Sequence, residues 1–407
     1  MDETKDGVRK LKGSRVSKIA IYAHDSYGLG HLRRSLVIAN SILQLNPSVQ
    51  ILLISGSAVS HLFDMPKGIR LVSLPPLVKV GVDEYRSLEP KVSLSLLIRT
   101  RSSIIAEALK RFKPDVLLVD HAPAGVKSEL SNALELVPQI RSHTRMILGL
   151  RDIVDSPEAT IKLWESLGVY EMLQEVYQDI FVYGQQDIFD PISAYELPPD
   201  IALKVQFMGY LGRKDEDYGI DSKLVNFDPE SKPPYVLITI GGGGDGTKVL
   251  KLALEATKRM ALPVVACTGP LIDPTSAHEI AELIGRNPNI EIIDFVPQMV
   301  NAMTKSIAVV SMGGYNSLCE ALSAQKRPVV VPRIWPRQEQ QIRATKFEQR
   351  GLLEMVSGET GTVQDIQDAL YRSIASPIPD LSRIDLKGLQ RLAPAILGTT
   401  PALAVEV

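Results

Sequence analysis

The chain has 407 residues, 45% hydrophobic and 23% charged, with a formal net charge of −2. That composition is ample for a packed core and, at roughly 100–200 residues per domain, predicts two domains. The near-neutral balance argues against nucleic acid as a partner. Cys267 and Cys319 stand in apolar contexts and read as buried free thiols, not as a disulfide or metal ligands. The N-terminal MDETKDGVRKLKGSRVSK is charged throughout, unlike a secretory leader. No uninterrupted apolar run reaches the ~18–20 residues of a membrane helix. The expectation is a cytoplasmic protein, with peripheral membrane contact left open.

In chain order, residues 1–16 read as a solvated tail. Short apolar runs then predict strands at 18–23, 49–55, 69–74, 115–120, 145–152, 179–184 and 204–209. Helices are expected after residue 31, over 93–112, where Pro114 closes the element, and around 157–176. The tract 77–93 has no period and reads as a loop. Residues 213–234 are polar, rich in Gly and Pro, and read as a linker between a first domain (17–212) and a second (235–375). The second domain repeats the pattern, with strands at 235–240, 263–267, 290–295, 307–311 and 328–332. Its helices are expected at 247–260, near 275–286, around Glu320 and near 338–350. Residues 376–407 read as a helix returning to the first domain or as a mobile end. Nearly continuous apolar strands alternating with helices predict α/β architecture: two doubly wound, Rossmann-like parallel sheets facing each other across a cleft.

Polar residues gather just after several strands: His24-Asp25, Asp120-His121 and Arg151-Asp152. Ligand sites in open α/β sheets lie outside the carboxyl ends of the strands, so these residues are candidates for one cleft. GGGGDGTK at 241–248 follows a strand and opens a helix. Glycines let backbone amides approach an anion, and a helix N-terminus favours negative charge. As a dinucleotide fingerprint it lacks the acidic residue about 20 positions on, and as a P-loop it reverses the Lys-Thr order. A diphosphate cradle remains, beside the plain alternative of a tight strand–helix turn. The stretch Ser311–Gln341 supplies possible partners for such a ligand: Gly313 and Gly314 at a helix start, then Glu320, Arg333, Gln340 and Gln341. A carboxylate at 320 can accept both ribose hydroxyls, although a solvated face is the bland reading. In the first half, Gly28, Gly30 and His31 occupy a strand–helix turn. An imidazole there is suited to taking a proton from a hydroxyl near neutral pH, with a packed or capping histidine as the alternative. Asp25 or Asp120 could orient it, and His121 is a second candidate. The run Asp215-Glu216-Asp217 matches a D-x-D pattern but sits in the charged linker, so it reads as solvated and no metal is expected.

GLGH at 28–31, the glycine loop at 241–246, DFVPQM at 294–299 and SMGGYNSLCEAL through PVVVPR to QEQQ carry a resemblance. Over about 18–360 the chain resembles GT-B glycosyltransferases of the MurG type, with their family 28 C-terminal domain. It is similar to uncharacterised bacterial glycosyltransferases that open with GLGHLRRS. The resemblance implies that Gly241, Gly242, Gly243, Gly244 and Thr247 hold the diphosphate of a nucleotide sugar. It places the nucleobase at the backbone of Phe295 and Val296, and Gly313 and Gly314 by the diphosphate and ribose. Glu320 would bind the ribose, and Gln340 and Gln341 the donor sugar. His31 would be the acceptor-side base of an inverting transfer that needs no cofactor and no metal. The implied partners are a nucleoside diphosphate sugar, read as a UDP-sugar, and a small-molecule, glycan or lipid-linked acceptor. Two departures bear on the acceptor and the donor: arginines at 33 and 34 where the MurG type has an apolar run, and no serine-glutamine pair in the glycine loop. A sugar-nucleotide epimerase and a non-catalytic nucleotide-sugar binder are the competing readings.

Overall fold

The computed structural model describes residues 16–24, 29–63, 65–79, 84–89, 91–214, 227–260, 262–296 and 298–399. Asp25, Gly28 and the Asp215–Asp217 run lie outside the described residues. The first unit contains β1 (Lys18–Ala23), α1 (Gly30–Leu45), β2 (Gln50–Ser55), β3 (Ile69–Ser73), β4 (Leu77–Lys79), β5 (Tyr85–Ser87) and α2 (Leu94–Phe112). It continues through β6 (Val116–Asp120), α3 (Ser131–Ile140), β7 (Arg145–Arg151), α4 (Pro157–Ser166), α5 (Val169–Glu175) and β8 (Asp179–Tyr183). Two one-turn helices, α6 (Pro191–Ala194) and α7 (Pro199–Ala202), lead to β9 (Val205–Phe207). Seven parallel strands order themselves β3-β2-β1-β6-β7-β8-β9.

The second unit contains β10 (Val236–Thr239), α8 (Thr247–Met260), β11 (Val264–Cys267), α9 (Pro274–Ile284), β12 (Ile290–Ile293), α10 (Met299–Lys305) and β13 (Ala308–Ser311). It continues through α11 (Tyr315–Ser323), β14 (Val329–Val330), α12 (Glu339–Gln349), β15 (Glu354–Met355) and α13 (Val363–Ala375), and α14 (Gly388–Leu397) follows. Its six parallel strands run β12-β11-β10-β13-β14-β15. Both sheets therefore reverse strand order beside their first strand, between β1 and β6 and between β10 and β13. The crevice at such a reversal is where open α/β sheets bind ligands. Cys267 and Cys319 are buried free thiols, and among the described residues no helix is long and apolar enough to cross a membrane.

Three local departures from the sequence reading have physical causes. The tract 77–93 carries an antiparallel hairpin, β4 with β5, too short to leave a periodic signal. The helix expected over 157–176 is two helices, because Gly168 takes φ +63° and turns the chain between α4 and α5. Arg213, at the start of the expected linker, is 3% exposed and donates to Asn316 Oδ1 on α11. Helix α1 is buried over nearly its whole circumference from Leu32 to Ala39. The reason is that α14 packs along it, with Leu389, Leu392 and Ile396 joining the core that holds Ile42 and Leu43.

The two units meet through polar contacts, one of them fully buried. Arg343 of α12 donates from Nε and Nη2 to the two oxygens of Asp152, each at 2.7 Å, with both side chains 1% exposed. Asn316 donates to the Gly30 carbonyl at 2.7 Å, and the Gln338 amide donates to Asp155 at 2.8 Å. Tyr315 lies between two guanidinium groups, with Arg34 and Arg343 each centred 5.7 Å from its ring.

Candidate active site

The two switch points face one cavity of about 450 Å³, within the ~300–1,000 Å³ of small-molecule sites. The first unit contributes His24 after β1, Gly30, His31, Arg33 and Arg34 at the start of α1, His121 after β6 and Arg151 at the end of β7. The second contributes Gly241, Gly242, Gly244 and Asp245 after β10, Gly314, Tyr315, Asn316 and Ser317 at the start of α11, and Arg333, Glu339 and Gln340.

On the first wall, His31 Nδ1 lies 2.5 Å from Asp120 Oδ2. Asp120, 1% exposed, also accepts a forked pair of bonds from Arg34, Nε at 2.9 Å and Nη2 at 2.7 Å. Burial works against the carboxylate's charge, but Arg34 and the imidazole more than offset that and hold it well below the usual carboxylate range. Arg34 Nη2 also lies 2.9 Å from His31 Nδ1, but Nδ1 cannot accept from Arg34 while it donates to Asp120. The shorter contact, 2.5 Å to a carboxylate that only accepts, places the hydrogen on Nδ1 and leaves the lone pair on Nε2. Burial pushes the His31 pKa down to about 4, outweighing the pull of Asp120. His31 is therefore neutral at physiological pH, the form that can accept a proton.

The loop that carries His121 is tied down from beneath. Arg101 of α2 forks onto buried Glu129 at 2.5 and 2.7 Å, and Tyr22 donates to the same carboxylate at 2.6 Å. The Tyr22 hydroxyl in turn accepts the Val126 amide at 3.2 Å. The rings of His24, His31 and His121 lie 5.3–5.8 Å apart, centre to centre. Among the described residues no group of three or more His, Cys, Asp or Glu is placed to hold a metal ion.

The second wall is mostly backbone. Gly241 takes φ +73° and lines the cavity where a Cβ would meet open space, while its amide donates to the Thr239 hydroxyl at 3.5 Å. Gly243, at φ +93°, packs inward instead, since a Cβ would come within 2.5 Å of the Thr268 carbonyl. Gly313 turns the chain at φ +78° against Val330, so that Gly314 opens α11 with its Cα facing free space. The start of α11 and the glycine loop leading into α8 thus line one region, where the dipole of a helix start favours an anion. Arg333 lies beside it, its charge already shared by two carboxylates, Asp245 at 2.6 Å and Glu339 at 2.6 Å.

Of the residues singled out in the sequence, His31, His121, Gly30, Gly241, Gly242, Gly244, Gly314, Arg333 and Gln340 line the cavity, and Asp120 stands directly behind His31. Gly243, Gly313 and Thr247 shape the turns without lining it. Phe295 and Val296 are buried, and the Phe295 ring packs edge-on against Phe63 of the first unit at 5.6 Å. Gln340 accepts the Arg333 amide at 3.2 Å, while Gln341 turns away toward the Met355 sulfur at 3.9 Å. Glu320 is 1% exposed and does not line the cavity. It is a buried ion-pair partner, with Arg33 at 3.1 Å and Arg213 at 3.4 Å. The solvated-face reading fails for it, and its ribose role requires Arg33 to move aside. Sequence reasoning missed Arg34 as the second partner of Asp120 and Glu339 as a cavity carboxylate. Its only cue for Arg34 was the i, i+3 spacing from His31 on one helix face.

Two parallel Rossmann-like sheets facing one cleft are the architecture of GT-B glycosyltransferases. Residues 237–381 match the glycosyltransferase family 28 C-terminal domain. The chain is 26% identical over 320 residues to the NDP-glycosyltransferase YjiC of Bacillus subtilis, covering 74% of this chain and 73% of that protein. Among solved structures it resembles Acinetobacter baumannii MurG, with a TM-score of 0.51, 14% identity and coverage of 95% of this chain and 96% of that one. It also resembles a putative UDP-N-acetylglucosamine 2-epimerase from Listeria monocytogenes, with a TM-score of 0.62, 11% identity and coverage of 97% and 100%. At those identities the two structures speak for the fold alone. The chain is an enzyme of the transferase class, and its second unit matches the family 28 C-terminal domain.

Proposed function

We propose that the protein transfers a sugar from a nucleoside diphosphate sugar, read as a UDP-sugar, to an acceptor hydroxyl, with inversion and without a metal. The observation that carries this reading is His31, bonded to Asp120 with Arg34 behind it, lining the same cavity as Gly241, Gly242, Gly244 and Gly314. In this mechanism Nε2 of His31 takes the acceptor proton as the acceptor oxygen attacks the anomeric carbon. The bond from that carbon to the diphosphate oxygen breaks, and its electron pair leaves with the nucleotide. Amides at Gly241, Gly242, Gly244 and Gly314, with Arg333, hold the developing negative charge, which preorganised donors stabilise without reorganising. Gln340 and Glu339 face the donor sugar, the backbone at Phe295 and Val296 receives the base, and Glu320 takes the ribose once Arg33 withdraws. The acceptor is a small molecule, glycan or lipid-linked hydroxyl bound on the first wall.

The test is incubation of the purified protein with UDP-sugars, with and without an acceptor panel. The proposal expects free UDP and a glycosylated acceptor, with His31→Ala inactive yet still binding UDP. Epimerised sugar nucleotide formed without acceptor would show the competing chemistry. UDP binding with no turnover across the panel would mark a binder. A thermal shift given by GDP-sugars alone would overturn the uridine assignment.

A further inference from the structure

The first sheet carries a second cavity, a groove of about 580 Å³ that shares no lining residue with the active-site cavity. It arises from how the helices divide the two faces of that sheet. On the face of Ile51 and Leu53, α1 covers β1 and β2. On the opposite face α2 and α3 pack together over β1, β6 and β7, through Ile105, Leu109, Leu134 and Val137. The strip between α2 and the sheet edge at β2 and β3 stays open, and the groove occupies it.

Its lining sorts into an apolar centre and a basic rim. Leu52 of β2 and Val72 of β3 form the floor. Ile104, Ala108 and Phe112 form the wall, a half-buried row at i, i+4 and i+8 along one side of α2. Around them stand Lys18, Arg70, Arg111 and one carboxylate, Glu107. Glu107 is already taken by Arg111 at 2.6 Å. Lys18 Nζ donates to the Phe112 carbonyl at 3.3 Å. Among the described residues neither that ammonium nor the Arg70 guanidinium is paired with a carboxylate. Arg70 is exposed and Lys18 half-buried, so a ligand in the groove reaches both without rearrangement. Lys18 touches the end of α2 and Arg70 lies on the edge strand β3, so the two cations flank the apolar floor.

We propose that this groove binds a single-chain amphiphile with an anionic head, of the fatty-carboxylate class. A hydrocarbon chain laid along the floor takes the half-buried faces of Val72, Ile104 and Phe112 out of water, which drives binding. The carboxylate meets an unmatched cation at the rim, and a charge-assisted bond fixes the head there. The volume falls within the ~300–1,000 Å³ of small-molecule sites, room for one chain and not a bilayer face. Lys18 opens β1, whereas His24 of the active-site cavity follows its last residue. The six residues of the strand therefore separate the two cavities by roughly 20 Å. The groove is thus independent of the glycosyl-transfer reading, and its ligand is neither donor nor acceptor.

The test is calorimetric titration of the protein, free and saturated with UDP, with octanoate, decanoate and dodecanoate below their micelle concentrations, and with dodecyltrimethylammonium. Expected is a single site whose affinity rises about three- to fourfold per methylene, with weaker binding of the cationic amphiphile and no change on adding UDP. Arg70→Glu, at an exposed position that folding does not depend on, should weaken dodecanoate by about tenfold or more. Ala108→Phe, which fills the groove, should abolish binding. No saturable binding of dodecanoate, equal binding by Arg70→Glu, displacement by UDP, or equal binding of the cationic amphiphile would overturn the proposal. Binding to anionic phospholipid vesicles without binding of the monomeric carboxylate would overturn it in favour of a membrane surface.

Discussion

At the switch point of the first sheet the cavity is lined and backed by titratable side chains: His31, Asp120, Arg34, His121 and Arg151, drawn from α1, β6, β7 and the turn after β6. At the switch point of the second sheet the lining is largely glycine backbone, at Gly241, Gly242, Gly244 and Gly314. The contrast follows from what each wall must do. Moving a proton needs a group whose charge changes, and only side chains supply one near neutral pH. Holding a diphosphate needs fixed dipoles, which backbone and helix ends provide without titrating. Single substitutions should therefore damage the first wall far more than the second.

The largest effect is expected at His31. His31→Ala removes the base and should lower kcat by on the order of 10²–10⁴ with little change in UDP binding. Asp120→Asn should also cost heavily, because an amide no longer fixes the hydrogen on Nδ1. The sign of the pH dependence follows from the depressed imidazole. His31 acts in its neutral form, so kcat/KM should stay level through neutral pH and fall as pH drops toward about 4. A loss already complete near 6 would mean an imidazole of ordinary basicity. A smaller effect is expected where the walls are tied together. Asp152→Ala leaves Arg343 as an unpaired buried cation and should cost about 3–5 kcal/mol of stability, read by chemical denaturation. Adding Arg343→Met should recover much of it; a double variant as unstable as the single one would deny the pairing its weight.

The same contrast explains what was legible in the sequence. The second wall announced itself because amide seats are written locally, as a glycine run between a strand and a helix. The alternation of apolar strands with helices likewise disclosed two parallel sheets. The first wall was harder. His31 stood out, but Asp120 lies 89 residues away, and only the placement of β6 beside β1 brings the two together. Nothing local distinguishes Asp120 from Asp25. The arginines at 33 and 34 were visible as a departure from family habit, yet their partners, Glu320 and Asp120, belong to distant strands and helices. Glu320 was noticed for its helix, but its ion pair with Arg33 was not, because burial by a residue of the other unit leaves no mark in its own segment. Gln341 was paired with Gln340 by adjacency, and helical rotation parts them.

The most direct measurement is a crystal structure of the protein with UDP. The account predicts the diphosphate against the amides of Gly241, Gly242 and Gly314, Arg33 turned away from Glu320, and open space for a sugar between the β-phosphate and Nε2 of His31. A nucleotide bound against the first wall, or one whose diphosphate points away from His31, would contradict it.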